Sequence, residues 1–137
     1  MRMRRSIVVV LLALCLGCGS SEPFKYVPAK GRVIYEDGSP VPLGGARLLF
    51  FVQDVAASGE AVPRPALANL NAQGEFDVVT SHKYGDGLIT GKHKVVIQAD
   101  AVQNGNRIFP DTCTNVLTTP LVVDTAEMPL VIKVPNP

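Results

Sequence analysis

With 137 residues, the chain can form one domain with a hydrophobic core but is too short for two of ordinary size. Its formal charge of +1 excludes nucleic-acid binding through a broad basic surface. Without residues 1–17, which hold three arginines and no acid, ten Lys and Arg face twelve Asp and Glu, a charge of about −2. The absence of Trp and the presence of 12 Gly and 11 Pro favour a turn-rich β-protein.

The N-terminus has the three-part layout of a secretion signal. A cationic "MRMRR" precedes an apolar run over residues 7–16, and the polar "GCGSSEP" follows it. As a helix, the apolar run would span only about 15 Å of a hydrocarbon layer roughly 30 Å thick. We therefore predict that residues 1–17 are a signal peptide and not a transmembrane anchor.

The end of this segment, "LCLGC", resembles the lipobox of bacterial lipoproteins. In that pattern a large aliphatic residue and two small or apolar residues precede the modified cysteine, and Gly17 and Cys18 fit, whereas Cys15 stands where Leu is usual. The resemblance implies cleavage between Gly17 and Cys18 and lipid attachment at Cys18, with enough acyl chains for stable anchoring. The alternative is an ordinary cleaved signal followed by an incidental cysteine.

The same resemblance predicts where the protein resides. In envelopes with two membranes, Asp after the lipidated cysteine favours the inner membrane, and this chain has Gly19 there. We expect a protein of the cell envelope, anchored by lipid to a membrane outside the cytoplasm, the outer membrane being favoured over the inner. Processing would leave Cys113 as the only thiol, so the domain would have no internal disulfide.

The rest of the chain is predicted to be all-β. Residues 18–29 would be the lipidated cysteine and a flexible tether, and residues 30–137 the domain. Period-two alternation recurs there and helical periodicity does not. Seven strands are expected, in "GRVIYE", "ARLLFFVQ", "ALANL", "EFDVV", "GKHKVVIQA", "TPLVVDT" and "PLVIKV". Without helices to cover a sheet, such strands bury their apolar faces in a β-sandwich or a barrel.

Alternation also predicts which side chains face inward. Those expected on core faces are Val33, Tyr35, Ala46, Leu48, Phe50, Val52, His93, Val95 and Ile97. "ALANLNAQGEFDVVT" is typical of a hairpin in which Leu70 ends the first arm and residues 71–74 form the turn. Phe76 and Val78 would then alternate along the second arm.

One strand is apolar on both faces. In "RLLFFV", Leu49 and Phe51 point away from the face that holds Leu48 and Phe50. Either residues 54–66 fold over this second face or another protein covers it. Leu49 and Phe51 are therefore a candidate partner surface.

The order of these elements resembles the carboxypeptidase regulatory-domain-like family, which has the transthyretin-like (prealbumin) fold. The resemblance covers residues 30–134 and rests on Gly31, Val33, Asp37, Gly38, Pro40, Val41, Phe50, Gly74, Phe76, Gly91 and Val95. It implies an all-β, seven-stranded Greek-key β-sandwich without chemistry of its own. His93 departs from the pattern, which usually has Tyr there. Related sandwich repeats also form Lys–Asn isopeptide crosslinks, for which Lys30 and Asn136 are the candidates here.

The chemistry-bearing residues do not combine into a catalytic set. His93 is expected to be an aromatic at the core edge whose nitrogen finds a backbone partner, the alternative being a metal ligand. A catalytic Cys113 would need a histidine nearby in space. No G-x-S-x-G motif is present, and two scattered histidines do not make a zinc site. We expect no enzyme activity, no cofactor and no metal.

Two functions follow as hypotheses. The first is a membrane-anchored extracytoplasmic lipoprotein that acts as a non-catalytic binding or scaffold module through contacts with an envelope protein. The alternative is a small-molecule or carbohydrate binder that uses loops 82–91 and 103–118 at one end of the sandwich. The sequence leaves the oligomeric state open.

Overall fold

The computed structural model describes residues 24–54 and 63–137. In these ranges the protein is all-β, as predicted, and its single helical element is a short 3-10 helix over Asp111–Thr114. The strands are β1 (Tyr26–Val27), β2 (Gly31–Tyr35), β3 (Arg47–Val52), β4 (Ala66–Asn69), β5 (Glu75–Phe76), β6 (Leu88–Ile89), β7 (Lys92–Gln98), β8 (Val102–Gln103), β9 (Asn106–Arg107), β10 (Val122–Asp124) and β11 (Leu130–Val134).

Two sheets contain most of the strand residues. The larger has the order β10-β7-β3-β4 and is antiparallel throughout. The smaller has the order β11-β2-β5, in which β2 runs parallel to β11 and antiparallel to β5. Two short pairs, β1-β6 and β8-β9, complete the pairing of the described strands.

The two sheets share one hydrophobic core. Leu48 and Phe50 from the four-stranded sheet belong to the same buried cluster as Val33 and Ile132 from the three-stranded sheet. Because side chains alternate across a strand, each sheet contributes one apolar face to this cluster and turns its other face outward. The arrangement is compatible with a β-sandwich.

The predicted inward positions are largely confirmed. Val33, Ala46, Leu48, Phe50, His93, Val95 and Ile97 are buried. Tyr35 is half-buried and packs against the core, with its hydroxyl donating to the Ile108 carbonyl oxygen at 2.7 Å. Val52 is also half-buried, at the end of its strand.

The predicted hairpin is right in its turn and wrong in its pairing. The Asn71 N–H donates to the Glu75 carbonyl oxygen at 2.9 Å, which closes the turn. The chain then leaves the first sheet, because β5 pairs with β2 and not with β4. Only Thr80 returns to pair with Leu67 of β4. Alternation shows which side chains face inward but does not show which strand lies alongside.

The N-terminal side of the domain begins earlier than expected. Tyr26 and Val27 pair with Ile89 and Leu88, and Ala29 is buried in the core. Residues 26–29, expected to be tether, therefore pack as part of the fold. The predicted signal peptide 1–17 and Cys18 lie outside the described residues.

All seven predicted strands have counterparts, and the structure adds four that have two residues each. These are β1, β6, β8 and β9, which are too short to show a period. The sequence did contain a signal for the hairpin of β8 and β9. The Asn104-Gly105 pair, with Asn104 at φ +51°, forms the turn between β8 and β9, as Asn-Gly commonly does in hairpins.

Candidate functional site

The outer face of the four-stranded sheet holds the predicted partner residues. In the register of this sheet, Leu49 of β3 lies between Val96 of β7 and Leu67 of β4, and Phe51 lies beside Lys94. All of these positions alternate with the buried core positions, so they face away from the core. Val122 of β10, opposite Lys94, faces the same way. We call Leu49, Phe51, Leu67, Val96 and Val122 the outer apolar face.

The outer apolar face is only partly open to solvent. Leu49 and Phe51 are half-buried, Val96 is 5% exposed and Val122 is 56% exposed. Val96 is not part of the core cluster, in keeping with its outward position. The sequence leaves open whether residues 54–66 or another protein covers this face, and residues 55–62 lie outside the described residues. The described part of that stretch forms a cleft of about 420 Å³ beside Phe51, lined by Asp54, Pro63, Arg64 and Pro65 among others.

Cationic side chains border the outer apolar face. Lys92 and Lys94 of β7 face outward on alternate positions, and Arg47 lies at the other end of β3. The Arg47 Nε lies 3.5 Å from the Asn69 Oδ1, and Asp124 is placed opposite Lys92 across the β10–β7 pair. Among the described residues, Lys92, Lys94 and Arg47 thus border this apolar surface together with the Asp124 carboxylate, and Arg64 and Asp54 line the cleft beside Phe51. Sequence reasoning singled out Leu49 and Phe51 but missed this border, which the same period-two alternation along β7 could have shown.

His93 is part of the core, as predicted. Its ring is 2% exposed and meets the Phe50 ring edge-on, with centroids 6.5 Å apart. Nδ1 lies 3.2 Å from the Gly91 carbonyl oxygen, to which Nδ1–H donates. Burial lowers the pKa of His93, although the Gly91 carbonyl and the Asp124 carboxylate oppose this change. A neutral ring engaged with backbone is a structural aromatic and not a free ligand.

Cys113 lies buried in the 3-10 helix. Burial raises the pKa of its thiol, so the sulfur remains protonated near neutral pH. A nucleophilic cysteine needs the opposite, an accessible thiolate. The surroundings of Cys113 therefore favour a packing role.

The two loops expected to form a ligand site are attached to opposite ends of β7. Residues 82–91 lead into Lys92, whereas residues 103–118 follow Gln98. The expectation that they lie at one end of the sandwich is therefore wrong. It failed because the sequence does not show to which end of β7 each loop is attached.

Loop 82–91 is held together by its own aspartate. The Asp86 carboxylate accepts the backbone N–H groups of Ser81, His82 and Lys83 at 2.7, 2.9 and 2.8 Å. Burial opposes ionisation of this carboxyl, but the hydrogen bonds from Lys83, Ser81 and His82 outweigh it and lower the pKa. Asp86 thus stabilises the loop, and its oxygens are already engaged.

A larger cleft, of about 570 Å³, lies on the three-stranded sheet. It is bordered by Lys30 and Arg32 of the β2 segment, Glu75 and Asp77 of the β5 segment, and the start of β11. Residues of loops 82–91 and 103–118 do not line it. This cleft was not predicted, since its residues come together only through the pairing of β2 with β5 and β11.

The structure separates the candidate crosslink residues. Lys30 precedes the first rung of the β2–β11 pair and Asn136 follows the last, so the two lie at opposite ends of parallel strands. Asn136 Nδ2 instead donates to Asp37 Oδ2 at 3.1 Å. An isopeptide bond between Lys30 and Asn136 is therefore excluded in this fold.

Residues 24–54 and 63–137 contain no helix that is long and apolar enough to cross a bilayer. They also contain no group of three or more His, Cys, Asp or Glu side chains placed to hold a metal ion.

No family model, curated protein or solved structure matches this chain. Among the described residues, two surfaces are candidates for binding, the outer apolar face and the cleft on the three-stranded sheet.

Proposed function

We propose that this protein is a lipid-anchored module of the cell envelope that binds another protein without catalysing a reaction. The observation that carries the proposal is the outer apolar face, where Leu49 and Phe51 lie among outward-facing Val96, Leu67 and Val122. An outward apolar surface with a charged border is a common feature of protein interfaces. The border contributes cations, so the expected partner presents an apolar centre with acidic groups around it.

The anchor rests on the N-terminal pattern. A basic segment, a ten-residue apolar run and the lipobox-like "LCLGC" support cleavage after Gly17 and acylation of Cys18. Phe24, the first described residue, follows Cys18 by six residues, which span at most about 21 Å. Such an anchor would keep the domain close to the membrane outside the cytoplasm, with Gly19 favouring the outer membrane.

The finer assignment of the fold is also a proposal. Two facing sheets with a shared core are compatible with the transthyretin-like, seven-stranded Greek-key sandwich that the carboxypeptidase regulatory-domain-like motifs imply. Domains of that resemblance carry no chemistry themselves. The buried states of His93 and Cys113 support the same absence of catalysis here.

Contact through the outer apolar face can be tested by site-specific photocrosslinking in intact cells. A photoreactive residue at position 51 is expected to give a discrete protein adduct, and one at Lys133, exposed on the other sheet, is expected to give none. Phe51→Asp should reduce co-purification of the identified adduct protein at least tenfold, whereas Lys133→Glu should not. Equal adducts from both positions, or co-purification insensitive to Phe51→Asp, would contradict the proposal.

The anchor has its own test with a matched pair of cysteine variants. Cys18→Ala should abolish incorporation of a labelled fatty acid, whereas Cys15→Ala, in the discarded segment, should leave it intact. Labelling that persists in Cys18→Ala would exclude Cys18 as the attachment site.

The ligand-binding alternative has a better location than the two loops. The cleft of about 570 Å³ on the three-stranded sheet falls within the volume range of small-molecule sites.

A further inference from the structure

The cleft on the three-stranded sheet is lined by residues of three adjacent strands, most of them outward-facing, and by Asn69 and Asn71 from the end of β4 and the turn after it. Val131, Arg32 and Glu75 form one rung across β11, β2 and β5. The neighbouring rung places Leu130 and Phe76 in the core. Because faces alternate, Lys30 and Asp77, one position beyond that rung, face outward again and also line the cleft.

In this cleft the positive and the negative side chains lie on different strands. Lys30 and Arg32 place two cations on the β2 side, and Glu75 and Asp77 place two carboxylates on the β5 side. Paired strands lie about 4.8 Å apart, and same-face residues two positions apart on one strand are separated by about 6.6 Å. The cleft therefore has a cationic column beside an acidic column.

The four charged groups have no partner elsewhere in the described part of the chain. Arg107 and Asp111 form an ion pair elsewhere, and no hydrogen bond to a described residue involves the Lys30 ammonium, the Arg32 guanidinium or the carboxylates of Glu75 and Asp77. All four residues are exposed. Their charges are thus available to a ligand that enters the cleft.

The remaining lining residues narrow the class of ligand. Val131 and Pro129 give an apolar strip along the cationic column. The aromatic lining residue, Phe76, is 4% exposed and offers no open ring on which a sugar could stack. The acidic column repels a polyanion and the cationic column repels a metal ion or polycation. A molecule that carries one charge of each sign meets no such penalty.

We propose that this cleft binds a small zwitterion, an amino acid or short peptide with a free carboxylate and a free ammonium group. The Arg32 guanidinium donates two hydrogen bonds to the ligand carboxylate in bidentate fashion, and the Lys30 ammonium donates a further one. The ligand ammonium donates to Glu75 and Asp77. An apolar part of the ligand lies along Val131 and Pro129.

The test uses trialanine with free termini and the mature protein purified with its native N-terminus. Titration followed by backbone amide NMR is expected to shift resonances of residues 30–32, 75–77 and 129–131. N-acetyl-trialanine and trialanine amide, which each lack one terminal charge, should each bind at least about tenfold more weakly. Equal binding of the three peptides, or no shift in the cleft at 10 mM trialanine, would overturn the proposal.

Variants assign each end of the ligand. Arg32→Gln should weaken trialanine binding about tenfold and remove the preference over the amide, whereas Glu75→Gln should remove the preference over the acetylated peptide. Lys133→Gln, on the same sheet but outside the cleft, should bind as the unaltered protein does. If Arg32→Gln loses its native amide dispersion, Lys30→Gln serves for the same measurement.

Two controls separate this proposal from its alternatives. Shifts in the cleft from glucose but not from trialanine would replace the zwitterion with a carbohydrate. Phe51→Asp should leave trialanine binding unchanged, because Phe51 lies on the opposite outer face. The zwitterion site can therefore fail while the protein-binding proposal stands, and the reverse also holds.

Discussion

The Phe50 ring of β3 packs against the Phe76 ring of β5, with centroids 5.8 Å apart and planes tilted by 58°. The two rings belong to different sheets, so the contact connects the sheets through the middle of the shared core. Both side chains are buried. The stability of the fold should therefore be sensitive to the volume at either position.

We predict that Phe76→Ala lowers the free energy of unfolding by about 3–5 kcal/mol, because it removes a buried ring and leaves a cavity between the sheets. Phe76→Leu, which keeps most of the volume, should cost about 1–2 kcal/mol. Urea denaturation measures both values. Losses of equal size in the two variants would show that the cavity does not determine the effect.

Burial of His93 predicts a stability that depends on pH. Its pKa in the folded state is below the ordinary value of 6.5, so the unfolded chain takes up this proton first as the pH falls. The contribution of the neutral ring is complete above pH 6.5 and is lost as the pH falls towards the lower pKa of the folded state. The free energy of unfolding should therefore decrease between pH 7.5 and pH 5.5.

Substitution of each histidine identifies the group responsible. His93→Phe keeps an aromatic ring against Phe50 and should flatten this decrease, since no group remains there to titrate. His82→Gln, at an exposed loop position, should retain it. A decrease that persists in His93→Phe would place the titrating group elsewhere.

The close approach of Gly87 to β1 predicts an unequal response of two glycines. Gly87 has φ +97°, and an added Cβ would lie 1.8 Å from the Val27 carbonyl oxygen. Gly38 has φ +88° but has no atom within 4 Å of the same position. Both alanine variants incur the cost of a left-handed backbone, about 1–2 kcal/mol, and only Gly87→Ala also clashes with backbone.

We therefore expect Gly38→Ala to lower the free energy of unfolding by about 1–2 kcal/mol and Gly87→Ala by more than about 3 kcal/mol. Hydrogen exchange should show that Gly87→Ala specifically exposes the Thr90 N–H, which donates to the Lys25 carbonyl oxygen. Equal losses in the two variants would mean that β1 moves away from position 87 without a loss of stability, and that its packing contributes little to the free energy of unfolding.

The contrast between β3 and β5 shows how far sequence reasoning reaches in this chain. Alternation placed Leu48 and Phe50 inside and Leu49 and Phe51 outside, because a strand of six residues shows its period within itself. The pairing of β5 with β2 was missed because a strand of two residues has no period and its partner lies more than forty positions away. Non-local pairing depends on the whole core and leaves no local pattern.

The same limit explains which of the candidate sites could be predicted from the sequence. The outer apolar face was predictable because Leu49 and Phe51 lie on one strand. The cleft was not, since Arg32, Glu75 and Val131 become neighbours only across three strands. The ligand site expected from loops 82–91 and 103–118 was wrong for a related reason, as their composition indicates loops but not the ends of the strand to which they are attached.

Counting thiols tests the burial of Cys113 and the processing of the N-terminus in one experiment. The chain has three cysteines, of which Cys15 would leave with the signal peptide and Cys18 would be converted to a thioether. Cys113 is buried and burial raises the pKa of its thiol, so it should not react with a thiol reagent in the folded protein. We predict no reactive thiol in the native mature protein and one per chain after unfolding in 6 M guanidinium chloride.

The alternatives give different counts. A cleaved signal without lipid would leave Cys18 free, which gives one fast-reacting thiol in the native protein and two after unfolding. An unprocessed chain would give three after unfolding. Cys113→Ala should reduce the unfolded count by one in each case, which assigns the slow thiol. Rapid native reaction that Cys113→Ala removes would contradict the buried position of this side chain in the core.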